Sequence, residues 1–341
     1  MPGADLLFVS QEDVVAAGGL DMDGTIAVVE KALELHAKGE AIAPRKSSIL
    51  WSDELDSDER LGRVMAMPAY VGGDMDVIGV KWIPSVPDNA TRGLPRGIGI
   101  ILLSDRETGM PIAVLDGTVV SAMRTGAIGG IAARALANPG SSVATLLGAG
   151  VQARTQLMAL ERTLDLDEVR VYDVAADRAD AFCDRERRDA VRLIAVDDPA
   201  EACAGSAVVV AATMADEPFV SPDWLDSGAV FISISSLDPT LELIDSCDVL
   251  VTDVWEHETG HHSRPFARAL AAGIVTRERV IELGQLLIGS VPGRTATTQR
   301  ILVSPVGLGI EDVAEAWRVV RRAQELGLGT PLRLWEEPVW T

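Results

Sequence analysis

The chain has 341 residues, 48% of them hydrophobic and 24% charged, and 30 Lys and Arg against 51 Asp and Glu leave a net charge of −21. That balance repels polyanions, which excludes nucleic acid and an anionic membrane surface as partners. Cys183, Cys203 and Cys247 are scattered and odd in number, and neither a secretory leader nor an apolar run of roughly 18 residues is read, so the expectation is a soluble cytoplasmic protein of roughly two domains.

From Asp23 to Lys38 the apolar positions Ile26, Val29, Leu33 and Ala37 recur at helical spacing, and Gly39 ends the run. Strand-like stretches follow at Ser47–Trp51, Gly62–Pro68, Val77–Ile83 and Gly99–Ser104, with a turn through Asp105–Pro111 into Ile112–Leu115. A helix followed by strands in series predicts a mixed α+β unit. Ser121 to Ala137 reads as a small-residue helix leaving that unit.

The pattern changes at Pro139. Val143–Leu147, Val169–Tyr172, Leu193–Val196, Ala207–Ala212, Ala229–Ile234 and Val249–Thr252 are short buried-strand runs, and helical segments such as Gln152–Thr163 and Ala175–Arg188 separate several of them. The alternation predicts an α/β fold, a parallel sheet with helices on both faces. Ile301–Val303 then leads through a glycine loop into a closing helix, Ile310 to Leu326, with an apolar face of Ile310, Val313, Trp317 and Val320. If that helix returns to the first unit, residues 1–120 and 310–341 form one discontinuous domain around a Rossmann domain of residues 121–309.

The motif Gly148-Ala149-Gly150-Val151-Gln152-Ala153 directly follows the strand Val143–Leu147 and reads G-x-G-x-x-A. Gly148 permits the tight turn and Gly150 the close approach of a pyrophosphate. Ala153 lets the helix pack on the strand, with its first amides facing the phosphates. About twenty residues further on, at the end of the next strand, Asp173 suits the ribose hydroxyls, which favours NAD over NADP. Arg178 nearby is either a 2′-phosphate contact or a solvated helix charge.

Further segments stand in order around this motif: Lys81-Trp82-Ile83-Pro84, Gly93-Leu94-Pro95-Arg96, Glu107-Thr108-Gly109-Met110-Pro111, Leu115-Asp116-Gly117, and Ser121-Ala122-Met123-Arg124-Thr125-Gly126-Ala127. After it come Glu282-Leu283-Gly284-Gln285-Leu286, Pro292-Gly293-Arg294 and Gly307-Leu308-Gly309-Ile310-Glu311-Asp312. Together they resemble the ornithine cyclodeaminase/μ-crystallin family over nearly the whole chain. They lie nearest the branch that oxidises N-(2-amino-2-carboxyethyl)-L-glutamate on the way to 2,3-diaminopropionate. The resemblance implies a homodimer, with a mixed substrate-binding and dimerisation domain beside a Rossmann domain. It also implies hydride transfer between NAD(P) and the carbon that bears an amine next to a carboxylate.

By position in these motifs, Arg45, Met67, Lys81 and Arg124 correspond to substrate contacts, and Lys81 to a proton donor or acceptor at the imine nitrogen. Thr125, Thr213 and Gly307 correspond to cofactor contacts. An acidic chain needs local cations to hold an amino-acid carboxylate, and Arg does so bidentately. Two departures bear on the chemistry. Ornithine cyclodeaminases carry a Glu before the Met-Pro that is Met67-Pro68 here, where this chain has Met65 and Ala66, which argues against ornithine cyclisation. The family's catalytic Asp aligns with Ser236, and Asp238 follows two residues later. A serine is no general base without an activating partner, so Ser236 points toward imine reduction and Asp238 toward deamination.

His257-Glu258-Thr259-Gly260-His261 matches the H-E-x-x-H zinc signature, but Gly260 and Pro265 oppose the single helix which that chemistry needs, so no metal is expected. Three readings remain: an NAD-dependent amino-acid dehydrogenase, an NAD(P)H-dependent imine reductase, and a non-catalytic μ-crystallin-like binder of a small ligand.

Overall fold

The computed structural model describes residues 4–52 and 61–340. In chain order the strands are β1 (Ala4–Val9), β2 (Ala41–Ile42), β3 (Ser47–Trp51), β4 (Gly62–Val71), β5 (Val77–Ser85), β6 (Ile100–Asp105), β7 (Pro111–Asp116), β8 (Val143–Leu147), β9 (Glu168–Tyr172), β10 (Arg192–Ala195), β11 (Val208–Ala211), β12 (Val230–Ser233), β13 (Val249–Thr252), β14 (Val280–Glu282), β15 (Ile301–Ser304) and β16 (Thr330–Trp335). The longer helices are α1 (Met22–Ala37), α2 (Gly117–Leu136), α3 (Val151–Thr163), α4 (Ala176–Arg185), α5 (Pro265–Ala271) and α6 (Gly309–Leu326). The chain divides into two compact units, Met1–Arg124 with Leu308–Thr341, and Thr125–Gly307.

In the first unit the sheet runs β16-β1-β7-β6-β5-β4-β2, with β3 also paired to β4. Only the β1–β7 pair among these is parallel. Alternation sorts each strand into two faces. Val64, Met67, Ala69 and Val71 of β4 are buried, as are Ile101 and Leu103 of β6. Helix α6 covers β4, β5 and β6 and also packs on α1. The approach is close: a Cβ at Gly309 would lie 2.8 Å from the Pro68 carbonyl, and one at Gly79 would lie 2.9 Å from Val313. Glycine at both places lets helix and sheet touch.

Helix α6 departs from the predicted one-sided stripe. Trp317 is only half-buried, whereas Glu311, Asp312 and Glu315 are fully buried. A buried carboxylate is unfavourable unless it is paired. Glu315 accepts from Arg318 at 2.7 and 2.8 Å and from Thr25 Oγ1 at 3.1 Å, and burial raises its carboxyl above the usual range.

The second unit is built on an all-parallel sheet ordered β10-β9-β8-β11-β12-β15-β13-β14. Strands β11 and β12 are buried at every residue, as expected where helices cover both faces. The order reverses at β8, between β9 and β11, and ligands bind at such a switch point in open α/β sheets. The small residues of α2 are explained by its contact with α3. A Cβ at Gly126 would fall 2.5 Å from the Thr155 carbonyl, and one at Gly130 would fall 2.9 Å from Ala159 Cβ.

Strands β1, β2, β14 and β16 were not expected. β16 is an edge strand whose residues are mostly exposed and which begins Thr330-Pro331, so it carries little burial pattern. Pairing with β1, more than 300 residues earlier, defines it. The thiols of Cys203 and Cys247 are buried, and burial pushes both up to about 12. Among the described residues no helix is long and apolar enough to cross a membrane.

Because the Thr155 backbone cannot yield as a side-chain tip can, Gly126→Ala is expected to cost about 1–3 kcal/mol of stability. A thermal melt checks this, at roughly 2–4 °C per kcal/mol.

Candidate active site

Two clusters of functional groups stand out, one in each unit. In the first unit, Lys81 lies on the face of β5 toward α6 and is 1% exposed. Met67 sits directly opposite it on β4, buried. The Lys81 ammonium donates to Asp312 Oδ1 at 2.7 Å and to Ser121 Oγ at 3.0 Å. Asp312 Oδ1 is also 3.0 Å from Arg124 Nε, while Arg124 Nη1 donates to Glu311 Oε2 at 2.7 Å. Glu311 Oε1 in turn accepts the Leu308 N–H at 2.9 Å and so caps α6 from within.

Two cations and two carboxylates therefore balance inside the unit, on side chains from β5, α2 and α6. Burial and the neighbouring Arg124 lower Lys81 from 10.5 to about 8, against the opposing pull of Asp312 and Glu311. An amine with that proton affinity can give or take a proton near neutral pH. Arg45 lies exposed between β2 and β3, and the ion pairs and hydrogen bonds that build this cluster do not involve it.

In the second unit, the loop between β8 and α3 has the form a dinucleotide requires. Gly148 has φ +99°, and a Cβ on it would lie 2.7 Å from the Ala212 carbonyl, so only glycine fits. Its N–H donates to the Tyr172 carbonyl at 2.7 Å. At Gly150 an added Cβ would meet nothing within 4 Å, which leaves room for a ligand to approach the backbone. Helix α3 begins after Gly150 with no side-chain cap, so its first amides, from Val151 and Gln152, are available to an anion. Val151 is 68% exposed, unusual for an apolar residue.

Asp173, just past β9, accepts the Ala149 N–H at 2.9 Å and the Ala175 N–H at 3.2 Å, which fixes its carboxylate beside the glycine loop. Arg178 Nη1 is 3.8 Å from Asp173 Oδ1 on a largely exposed side chain. These residues fit a dinucleotide: a glycine turn, open helix amides and an anchored acid.

The strand ends carry three further anchors: Asp238, which the sequence offered as a candidate catalytic acid, and Asp253 and Arg264, which it did not assign. Asp238 is fully buried and accepts from Thr213 Oγ1 at 2.6 Å, Ser235 Oγ at 2.6 Å and Ser233 Oγ at 3.1 Å. It thereby ties the loop after β11 to the loop after β12. Asp253, past β13, accepts the Gly307 N–H at 2.6 Å, and Gly307 has φ +77°. Thr125, in α2, accepts from Gln156 Nε2 through its carbonyl at 2.8 Å.

Arg264 is the third anchor, 8% exposed. It donates to Glu258 at 2.8 Å, to the Pro305 carbonyl at 2.6 Å, to Ser304 Oγ at 3.3 Å and to Ser236 Oγ at 3.2 Å. The His-Glu-x-x-His sequence is thus divided. Its short helix, Trp255–Glu258, ends before Gly260, and Glu258 is buried against Arg264. Among the described residues no group of three or more His, Cys, Asp and Glu is placed to hold a metal. Pro265 opens α5 at its first turn, where its missing N–H is harmless.

A model of the ornithine cyclodeaminase/mu-crystallin family matches residues 7–327. The N-((2S)-2-amino-2-carboxyethyl)-L-glutamate dehydrogenase of Staphylococcus aureus is 32% identical over 97% of this chain and 99% of its own length. The alanine dehydrogenase of Archaeoglobus fulgidus is 32% identical over 96% and 98%. The solved structure of the Thermococcus litoralis Delta(1)-pyrroline-2-carboxylate reductase, in complex with NADH and L-proline, has a TM-score of 0.86 at 29% identity, over 95% and 99% of the two chains. An archaeal alanine dehydrogenase dimer with bound NAD has a TM-score of 0.86 at 30% identity, over 97% and 99%.

Removing one partner of a buried ion pair strands the other charge. Glu258→Ala is therefore expected to lower stability by about 3–5 kcal/mol, whereas His262→Ala, on an exposed side chain, should stay within about 0.5 kcal/mol. Denaturant unfolding of both variants checks the ranking, and a metal-site role for this segment would reverse it.

Proposed function

The chain belongs to the ornithine cyclodeaminase/mu-crystallin family, and on that premise we propose that it is an NAD-dependent oxidoreductase acting on the C–N bond of an N-substituted amino acid. The substrate favoured is N-(2-amino-2-carboxyethyl)-L-glutamate, oxidised to an imine that hydrolyses to 2,3-diaminopropionate and 2-oxoglutarate. The observation that carries this reading is Lys81: a fully buried amine, held at 2.7 Å by Asp312, with a proton affinity lowered to about 8. A protein that merely binds a small ligand has no use for such a group.

A bound nicotinamide supplies the acceptor for the α-hydrogen and its two electrons, and returns them in the reverse direction. Gly148, Ala149, Gly150, Val151 and Gln152 would hold the pyrophosphate on the amides that open α3, and Asp173 the ribose hydroxyls. Thr125, Thr213 and Gly307 would complete the cofactor contacts. Arg178 beside Asp173 is the one feature that would tolerate NADP.

Arg124 and Arg45 would hold substrate carboxylates. Arg45 is exposed, whereas Arg124 is pre-oriented by Glu311 and Asp312. Neutral Lys81 takes the proton from the substrate nitrogen as the C=N bond forms. Water then adds to that bond and the amine departs. Asp238, sequestered among three hydroxyls, serves to position Thr213.

Imine reduction is the second reading, and Ser236 favours it. Its Oγ accepts from Arg264 at 3.2 Å, and among the described residues no hydrogen bond ties it to a base that would let it activate water.

As a homodimer the protein would use the outer face of the first unit's sheet. Trp82 and Ile100 are register partners on the face opposite Lys81, 44% and 51% exposed, and Phe8 and Leu332 are 40% and 44% exposed. A second copy is the natural cover for such a band, and the related archaeal alanine dehydrogenase is a dimer.

The test is turnover of N-(2-amino-2-carboxyethyl)-L-glutamate with NAD⁺, following NADH by absorbance and both products by mass. NADH formation with both products is expected, and the oxidative rate should climb as pH rises through about 8 because neutral Lys81 is the base; the reverse reaction should fall over the same range. Silence from protein that binds NADH would transfer the assignment to imine reduction. Asp173→Ala is expected to weaken NADH more than NADPH in a fluorescence titration, and an unchanged ratio would remove Asp173 from coenzyme choice.

A further inference from the structure

The groups that face Lys81 come from three elements. Helix α2 supplies Arg124 and Ser121, α6 supplies Asp312 and Glu311, and β4 supplies Met67 across the strand pair. One atom stands at the centre: Asp312 Oδ1 lies 2.7 Å from Lys81 Nζ and 3.0 Å from Arg124 Nε. Two cations so close would repel each other without an intervening carboxylate. Glu311 cannot substitute, because its oxygens are committed to Arg124 Nη1 and to the Leu308 N–H.

The place of Asp312 is fixed by backbone rather than by side-chain choice. Gly309 lets α6 start against the Pro68 and Met67 carbonyls, which a Cβ would approach to 2.8 and 2.9 Å. Asp312 follows three residues later, fully buried. Of the three N–H donors on Lys81, one is taken by Asp312 and one by Ser121, and the third is left to present.

We propose that Asp312 is a positioning residue for the reaction, bridging Lys81 and Arg124 through one oxygen so that the amine keeps a single orientation. This rests on the reading of Lys81 as the proton carrier. Ser121 is the second, neutral anchor of the same rotor.

The sign follows from the charges. Asp312 opposes the burial and the Arg124 repulsion that lower Lys81 to about 8, so Asp312→Asn should lower it further. Between the new value and about 8, the folded variant then binds fewer protons than folded wild type. The stability lost by Asp312→Asn should therefore grow as pH falls below about 8 and level off at its smallest value above it.

The experiment pairs thermal melts over pH with turnover over pH, using the full chain. In melts, Asp312→Asn should lose most at low pH, and in a Lys81→Met background that pH dependence should vanish. A loss equal at every pH, or one that survives Lys81→Met, would overturn the proposal and needs no substrate to be seen. In turnover, Asp312→Asn should move the rising limb of the oxidative profile toward acid by about one pH unit or more. Asp312→Glu, which keeps the charge but displaces it, should leave the limb and lower kcat. An unmoved limb in Asp312→Asn, or wild-type kcat in Asp312→Glu, would sink it. Should Asp312→Asn fail to fold, the melts of Asp312→Glu with and without Lys81→Met decide: a destabilisation by Asp312→Glu that is lost in the Lys81→Met background supports the proposal, and one of equal size in both backgrounds defeats it. Retained turnover with the same limb in Lys81→Met would instead defeat the reading of Lys81 and leave the pairing found in the melts intact.

Discussion

A lysine buried in the middle of a β-strand is the constraint around which the first unit is arranged. An ammonium taken from water is strongly unfavourable unless a carboxylate meets it with good geometry. Here the carboxylate arrives 231 residues later in the chain. That requirement explains why the closing helix α6 must return to β4 and β5, why glycine stands at its first position, and why its opening turn carries acids where an apolar stripe would pack more simply. Arg124 and Glu311 complete the balance, so four charges leave no net charge inside the unit. The arrangement gives up some stability relative to an apolar core and leaves an amine whose proton affinity burial lowers to about 8.

The second unit solves a different problem. A parallel sheet with buried strands has its functional groups at the carboxyl ends, where loops are otherwise free to wander. Four buried charged side chains restrain them: Asp238 gathers the hydroxyls of Thr213, Ser233 and Ser235, Asp253 holds the Gly307 amide, and the Glu258–Arg264 pair reaches Ser236 and the Pro305 carbonyl. None of these needs to touch a ligand to matter. They hold the loop backbone at the strand ends in place, and a site built on rigid elements is more precise than one on free loops.

Much of the fold was legible in local pattern. The buried runs that became β8, β11, β12 and β13 announce themselves because a strand covered on both faces is apolar at nearly every position, and the glycine motif lies between one of them and a helix. Lys81, Met67 and Arg124 were singled out through the ordered motifs of a known family, and the fold brings the three together. The partners of these residues were not. Glu311 and Asp312 stand in a quoted motif, yet nothing local distinguishes an acid that caps a helix in solvent from one buried against a distant cation. The same holds for Glu258, whose neighbours spell a zinc signature while its actual partner is Arg264.

Periodicity, glycine placement and residue order are properties of neighbouring positions, and they were sufficient to determine the α/β unit with its parallel sheet, the glycine loop after β8 and the family. Burial and charge pairing are properties of the packed state. Only the tertiary structure decided that Lys81 is buried to 1% exposure, that Asp312 bridges it to Arg124, that Asp238 is enclosed by hydroxyls, and that β1 and β16 form a pair at all. The physical reason is that desolvation depends on everything which surrounds a group, whereas a helix turn or a strand depends mainly on the next few residues.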